Sequence, residues 1–280
     1  MREAINQAPR RSLAGLIDQG SYQVVLGLAG CIALLLLVAP TAIILITSFT
    51  SSSALRFPPP GLSLGWYRAL LTDSPEIVEA ALVSLRVAVA ATGLGTLLAV
   101  SGALGIAGST TRWARILDSA LMSPLLLPSL ALGLGLLLTF TLLETKVSIT
   151  TLTLGHTTIC FPFILRTTRA SLTQLDPSLR DASESLGGSP WFTFLNVTFP
   201  LIRGGIAAGA FIAFMASLDN VAISLFLADA RSEVLPIRMW NIIENMLDVR
   251  AAAASGILIL TTIVLMLVME RVAGLSKHIW

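Results

Sequence analysis

Several uninterrupted apolar runs of about 20 residues or more constrain this chain more than any other feature. A run of that length has to satisfy its backbone N–H and C=O groups without water, so it forms a helix or joins a closed barrel. The weak alternating pattern of barrel strands is absent, which leaves helices. Charged residues make up 12% of the chain, about half the roughly 25% usual in soluble domains. The expected fold class is therefore an all-α integral membrane protein with six transmembrane helices, at about 23–48, 79–108, 118–141, 147–170, 204–227 and 252–274. Arg2, Arg10 and Arg11 precede the first run as they would in a signal peptide. The run over 22–49 is much longer than the roughly 7–15 apolar residues such a peptide needs, and is read as a retained span.

The distribution of Lys and Arg sets the expected orientation. With the N-terminus inside, the inner segments hold eleven: Arg2, Arg10, Arg11, Arg112, Arg115, Arg166, Arg169, Arg180, Arg203, Arg271 and Lys277. The outer segments hold six, and Arg86 falls within a span. Both termini are thus expected in the cytoplasm, with a segment 1–22, a first helix 23–48, an outer loop 49–78, a core 79–274 and a tail 275–280. The outer segment 228–251 is mildly acidic, with Asp229, Glu233, Glu244 and Asp248. It reads as a solvated loop or as a docking surface. A net charge of +2 gives no reason to expect a nucleic-acid partner. Cys31 and Cys160 lie far apart in apolar runs and read as buried reduced thiols. Gly93-Leu94-Gly95 lies inside a span without a third glycine, so helix packing accounts for it better than nucleotide binding.

One cytoplasmic stretch departs from its surroundings: DASESLGGSPWFTFLNVTFPL, residues 181–201. Asp176-Pro177 has the form of a helix start, an acceptor side chain followed by proline. Gly187-Gly188 offers a stop, because glycine takes positive φ without cost. Ser189-Pro190 starts a second short helix, rich in aromatics and expected to end before Pro200. The loop 176–200 is then two short helices on a glycine elbow, the second inserting into the membrane interface or into a partner's groove.

This stretch resembles the EAA loop of permeases of binding-protein-dependent ABC importers: E-A-A, three residues, G, nine residues, I, one residue, L-P. The matching positions are Asp181, Ala182, Ser183, Gly187, Val197, Phe199 and Pro200, with Asp for Glu, Ser for the second Ala, Val for Ile and Phe for Leu. The resemblance covers about residues 75–275, the type I importer membrane domain, with one extra helix in front. It implies a coupling helix that seats on a separate ATPase subunit. It also implies ATP and Mg on a pair of partner ATPase subunits, a second and non-identical permease, and a periplasmic or lipid-anchored substrate-binding protein. The chain itself has no G-x-x-x-x-G-K-[ST] for phosphates, so it reads as a transport subunit without its own ATPase site or cofactor.

In the fifth expected span small residues recur every four, at Gly205, Gly209, Ala213 and Ser217, which permits close helix approach. The same span carries Asp219 and Asn220. An acid in a membrane is costly, so it faces protein, water or a cation. Three readings are open for Asp219: a structural bond or ion pair with Arg86 or Arg166, a place in a cation path, or a gate between two permeases. The S-L-D-N segment and the later LPIRMWNIIE are similar to the spermidine/putrescine branch of the importer permeases, which implies a polyamine cargo. An anion or a metal-ion complex is the alternative cargo, and a secondary transporter is the rival machine. His156 reads either as a helix-packing residue or as a proton relay.

Overall fold

A computed structural model describes residues 13–273 except 110, 230 and 247. Most of the described residues are helical, and the described residues outside the helices include one isolated antiparallel bridge between Thr50 and Leu62. Helix α1 spans Leu13–Ser48, α2 Gly65–Thr72, α3 Pro75–Ile106, α4 Arg112–Met122, α5 Ser129–Leu142 and α6 Ile149–Thr173. Then come α7 Ser178–Ser185, α8 Pro190–Thr193, a π-helical turn Phe194–Thr198, α9 Phe199–Leu218, α10 Val221–Leu227, α11 Leu235–Met246 and α12 Val249–Ala273.

Four helical stretches are long and apolar enough to cross a membrane: Tyr22–Ser48, Pro75–Ile106, Pro190–Leu218 and Val249–Arg271. A fifth follows if Arg112–Leu125 and Ser129–Leu142 count as one bent span. The expected 147–170 span is the 25-residue α6. Its threonines, His156, Arg166 and Arg169 make it less apolar, and protein covers it where lipid would cover the others.

The centre of the fold is α6, flanked by a parallel α3 and an antiparallel α9. Ser148 caps α6 through the Thr151 N–H, and the Thr151 hydroxyl receives the Ser148 N–H at 2.9 Å, a capping box. The small-residue row of α9 lies on α6: Ala213 and Ser217 are buried, and Gly205 and Gly209 meet Ser171, Thr167 and Ile164. A Cβ on Gly209 would stand 2.8 Å from the Ile164 Cα, closer than real contacts allow. Val83, Val87, Ala91, Leu152, Ile164, Leu165, Ile223 and Leu227 fill the core around this contact.

At the opposite end from α7, the start of α3 is tied to α11 and α12. The Ser84 hydroxyl accepts the Leu235 N–H at 2.8 Å, and Arg250 donates to the Ser74 hydroxyl at 3.0 Å. Arg250 also pairs with Asp248 at 2.6 Å. Burial alone would raise the Asp248 carboxyl, but the hydrogen bonds and charge of Arg250 outweigh it and hold that carboxyl below the ordinary carboxylate range.

The helices correct the expected boundaries in several places. The first helix starts within the expected 1–22 segment, at Leu13. The loop 49–78 contains α2 and the start of α3. The third span, 118–141, bends by 106° between Leu125 and Ser129, where Pro124 and Pro128 deprive the backbone of two donors. The fifth span, 204–227, is interrupted at Asp219-Asn220. The second short helix does not end before Pro200: a π turn carries α8 into α9, with the Phe199 N–H bonding back to the Phe194 carbonyl. Pro200 then sits in the first turn of α9, where a missing N–H costs least. Cys31 is exposed on the unpacked face of α1, whereas Cys160 is buried. The tail 275–280 lies outside the described residues.

Candidate functional site

The loop 176–200 takes its shape from local chemistry. The Asp176 carboxylate accepts the Ser178 N–H at 2.9 Å, which starts α7 and holds that carboxyl below its ordinary range. Asp181 and Ala182 are exposed along α7, and Ser183 is turned inward. Helix α7 ends in a Schellman motif: the Gly187 N–H bonds the Glu184 carbonyl and the Gly188 N–H bonds the Ser183 carbonyl, both at 2.9 Å. Gly187 takes φ +84°. A Cβ on Gly188 would stand 2.6 Å from the Ser183 hydroxyl oxygen, so the chain can fold back this tightly only on glycine. The Ser189 hydroxyl then caps α8 by accepting the Phe192 N–H.

A buried hydrogen bond of 2.8 Å between the Ser183 and Thr193 hydroxyls latches α7 onto α8. The motif positions therefore fall on two bodies. Asp181, Ala182, Ser183 and Gly187 form the short helix and its elbow. Val197, Phe199 and Pro200 belong to the π turn and first turn of a continuous helical stretch, Pro190–Leu218. Around the elbow Leu186 is 90% and Trp191 68% exposed, beside Leu179 and Phe192. These apolar side chains cluster on a surface that already carries Asp181 and Glu184, a combination suited to docking a protein. Nothing in the sequence pattern signals the Ser183–Thr193 latch, because both residue types also read as ordinary surface positions.

The second site is the helix break. Asp219 ends α9 with φ −102° and ψ 12°, outside helical geometry. The Asn220 side chain caps α10 by accepting the Ile223 N–H at 2.8 Å. Asp219 is exposed and makes no ion pair among the described residues. The expected ionic partners are elsewhere: Arg166 is exposed on α6, and Arg86 faces a groove between α3 and α6 with Ala90, Leu94, Thr150 and Thr153. Arg169 instead pairs with Asp118 of α4. His156, 2% exposed, bonds Ser217 through Nδ1 at 2.8 Å and Ser224 through Nε2 at 3.0 Å. Asp-Asn is itself a capping signal, legible in the sequence once helix continuity through 204–227 is given up.

Residues 75–276 match the family described as "Binding-protein-dependent transport system inner membrane component", and the chain belongs to that family. It is an ABC importer permease subunit. The chain is 26% identical over 236 residues to the spermidine/putrescine transport system permease protein PotC of Escherichia coli K12, covering 84% of this chain and 88% of the relative. It is 28% identical over 211 residues to the putrescine transport system permease protein PotI of the same strain, covering 73% of this chain and 75% of the relative. The fold is shared with a bacterial ABC transporter chain involved in import of the acidic polysaccharide alginate. That match has a TM-score of 0.71 and 16% identity over 94% of this chain and 97% of that chain.

Proposed function

We propose that this chain forms half of the translocation pore of an ATP-driven importer in a bacterial inner membrane, with both termini cytoplasmic, and that its cargo is a polyamine. In this reading it holds no nucleotide of its own. Helix α7 and the elbow, through Asp181, Ala182, Ser183 and Gly187, seat on one of two partner ATPase subunits that bind ATP and Mg. A second, non-identical permease completes the pore, and an external binding protein delivers the solute. Coupling is carried by one observation above the rest: the Ser183–Thr193 hydroxyl pair fixes the exposed helix to the stretch that runs on to Asp219. Movement of the docked partner then shifts a membrane helix as a rigid body. The polyamine cargo is supported by the relatives' names together with an exposed, unpaired carboxylate, Asp219, beside Asn220 at a broken helix.

Asp219→Asn tests the cargo. It keeps shape and removes charge. One charge contact in a partly wet cavity is worth on the order of a few kcal/mol. Uptake of spermidine by the assembled complex should fall at least about tenfold, one decade being about 1.4 kcal/mol. Yield and basal ATPase activity should be kept. Unchanged uptake by a stable complex refutes the assignment. A second reading, an anionic cargo, draws on Arg86, which faces the open α3–α6 groove without an ion pair among the described residues. Under that reading Arg86→Gln, and not Asp219→Asn, abolishes uptake.

A further inference from the structure

His156 contacts both sides of the helix break. Its Nδ1 meets the hydroxyl of Ser217 in the last turn of α9, and its Nε2 meets the hydroxyl of Ser224 in α10, one turn past the break. The direction of each bond follows from the next. The Ser224 hydroxyl donates its single proton to the Asn220 carbonyl at 2.7 Å, so its oxygen receives a proton from Nε2. Nε2 therefore carries hydrogen, and in the neutral ring Nδ1 is the acceptor for Ser217. A directed chain thus runs from α6 into the break: His156 Nε2–H to Ser224 O–H to Asn220 C=O. The other ring nitrogen fixes the end of α9. All three side chains are buried, so each loss would leave a polar group without a partner.

We propose that His156 is the positioning residue of the break: it splints α9 to α10 so that the Asp219 carboxylate stands in a fixed place toward a cationic solute. The proposal rests on the reading that Asp219 contacts the cargo. His156 itself touches no solute. Its two contacts span the point where the α9 ladder ends, with the Asp219 and Asn220 N–H groups bonded back to Met215 and Ser217 and the Ile223 N–H taken by the Asn220 side chain. Removing the imidazole leaves α9 and α10 intact and releases the angle between them. The cost falls on cargo affinity and spares assembly and ATP turnover.

The test uses the full reconstituted complex, with radiolabelled spermidine as the probe and half-saturation and maximal rate measured separately. His156→Leu, similar in volume and apolar, should raise the half-saturation concentration about tenfold while yield and basal ATPase rate stay unchanged, in line with loss of one or two buried hydrogen bonds. Ser224→Ala breaks the same chain with a smaller change and should act in the same direction. His156→Gln keeps a donor toward Ser224 and should restore most of the affinity. His156→Leu should add nothing in an Asp219→Asn background, because what it positions is then gone. An equal effect in both backgrounds, or a Gln variant as poor as the Leu variant, overturns the splint. Should His156→Leu fail to assemble, Ser224→Ala alone and with Asp219→Asn decides by the same criterion. Impaired Asp219→Asn with native His156→Leu and Ser224→Ala overturns the splint alone. Native affinity in Asp219→Asn removes the underlying reading and the splint's role with it.

Discussion

Gly187 isolates the backbone contribution to the elbow. It sits at φ +84°, and a Cβ there would meet nothing within 4 Å. Any effect of substitution therefore comes from conformational preference and not from a clash. An L-residue in the left-handed region costs about 1–2 kcal/mol; a β-branched one lies at the upper end, and asparagine, which visits this region readily, lies below it. One to two kcal/mol changes a two-state population roughly 5–30-fold. The Schellman bonds from Gly187 and Gly188 to α7 carbonyls close the turn that lets Ser183 reach Thr193 of α8, so this population is that of the latched elbow. Uptake in reconstituted vesicles should fall in the order Gly187→Asn, Gly187→Ala, Gly187→Val, with Asn near native and Val lowered about tenfold. Membrane levels should be equal, and solute moved per ATP hydrolysed should drop in the same order. A valine variant that transports normally refutes the reasoning. So does an asparagine variant as poor as valine, because positive φ would then not be the cause.

Three further outcomes are expected. A cysteine placed at position 188 should react with a membrane-impermeant reagent only from the cytoplasmic side, and one placed at position 60 only from outside; the reverse labelling overturns the orientation. Gly209→Val forces a Cβ against the Ile164 backbone and should cost about 1–3 kcal/mol, read as a melting temperature in detergent lowered by several degrees, while Gly93→Ala, with open space around it, should melt as the native chain does. Asp248 has a folded-state pKa below its unfolded one, so its contribution is fully present above the ordinary carboxylate pKa of about 4 and is lost as pH falls through the folded value. Asp248→Asn should cost on the order of 1 kcal/mol at pH 7 for this partly exposed pair, read as a lowered melting temperature, and reduce the difference in melting between pH 7 and pH 3.5; an unchanged difference removes Asp248 from the acid response.

What could be read from the chain, and what could not, follows from which forces act locally. Apolar length marks helices in lipid, and the stop at Gly187-Gly188 is written in residues that only glycine's φ range explains, so both were legible. The interruptions carry local signs that apolar length hides. An average over about 20 residues passes smoothly across Asp219-Asn220, because the flanking VAISLFL is as apolar as the helix before it. A break in such a run survives because His156, from α6, hydrogen-bonds Ser217 and Ser224 on either side of it, and nothing near 219 in sequence announces that distant imidazole. The bend after α4 did carry a local sign, in Pro124 and Pro128. The passage through Pro200 shows the opposite failure: proline suggested an end, and the wider spacing of the π turn let the helix go on.

The stretch Pro190–Leu218 has 29 residues, about 43 Å at 1.5 Å per residue. It has the elbow at one end and the Asp219 break at the other. Such a rod is a lever whose load lies far from where it is pushed. A tilt of about 5° at the elbow displaces the far end by roughly 4 Å over that length, more than the reach of any hydrogen bond at the break. In the proposed coupling, the interruption at Asp219 is where the lever arm stops, and movement supplied at the elbow would load the bonds from His156 to Ser217 and Ser224 that join α9 to α10. A continuous helix in its place would share the same tilt along its whole length.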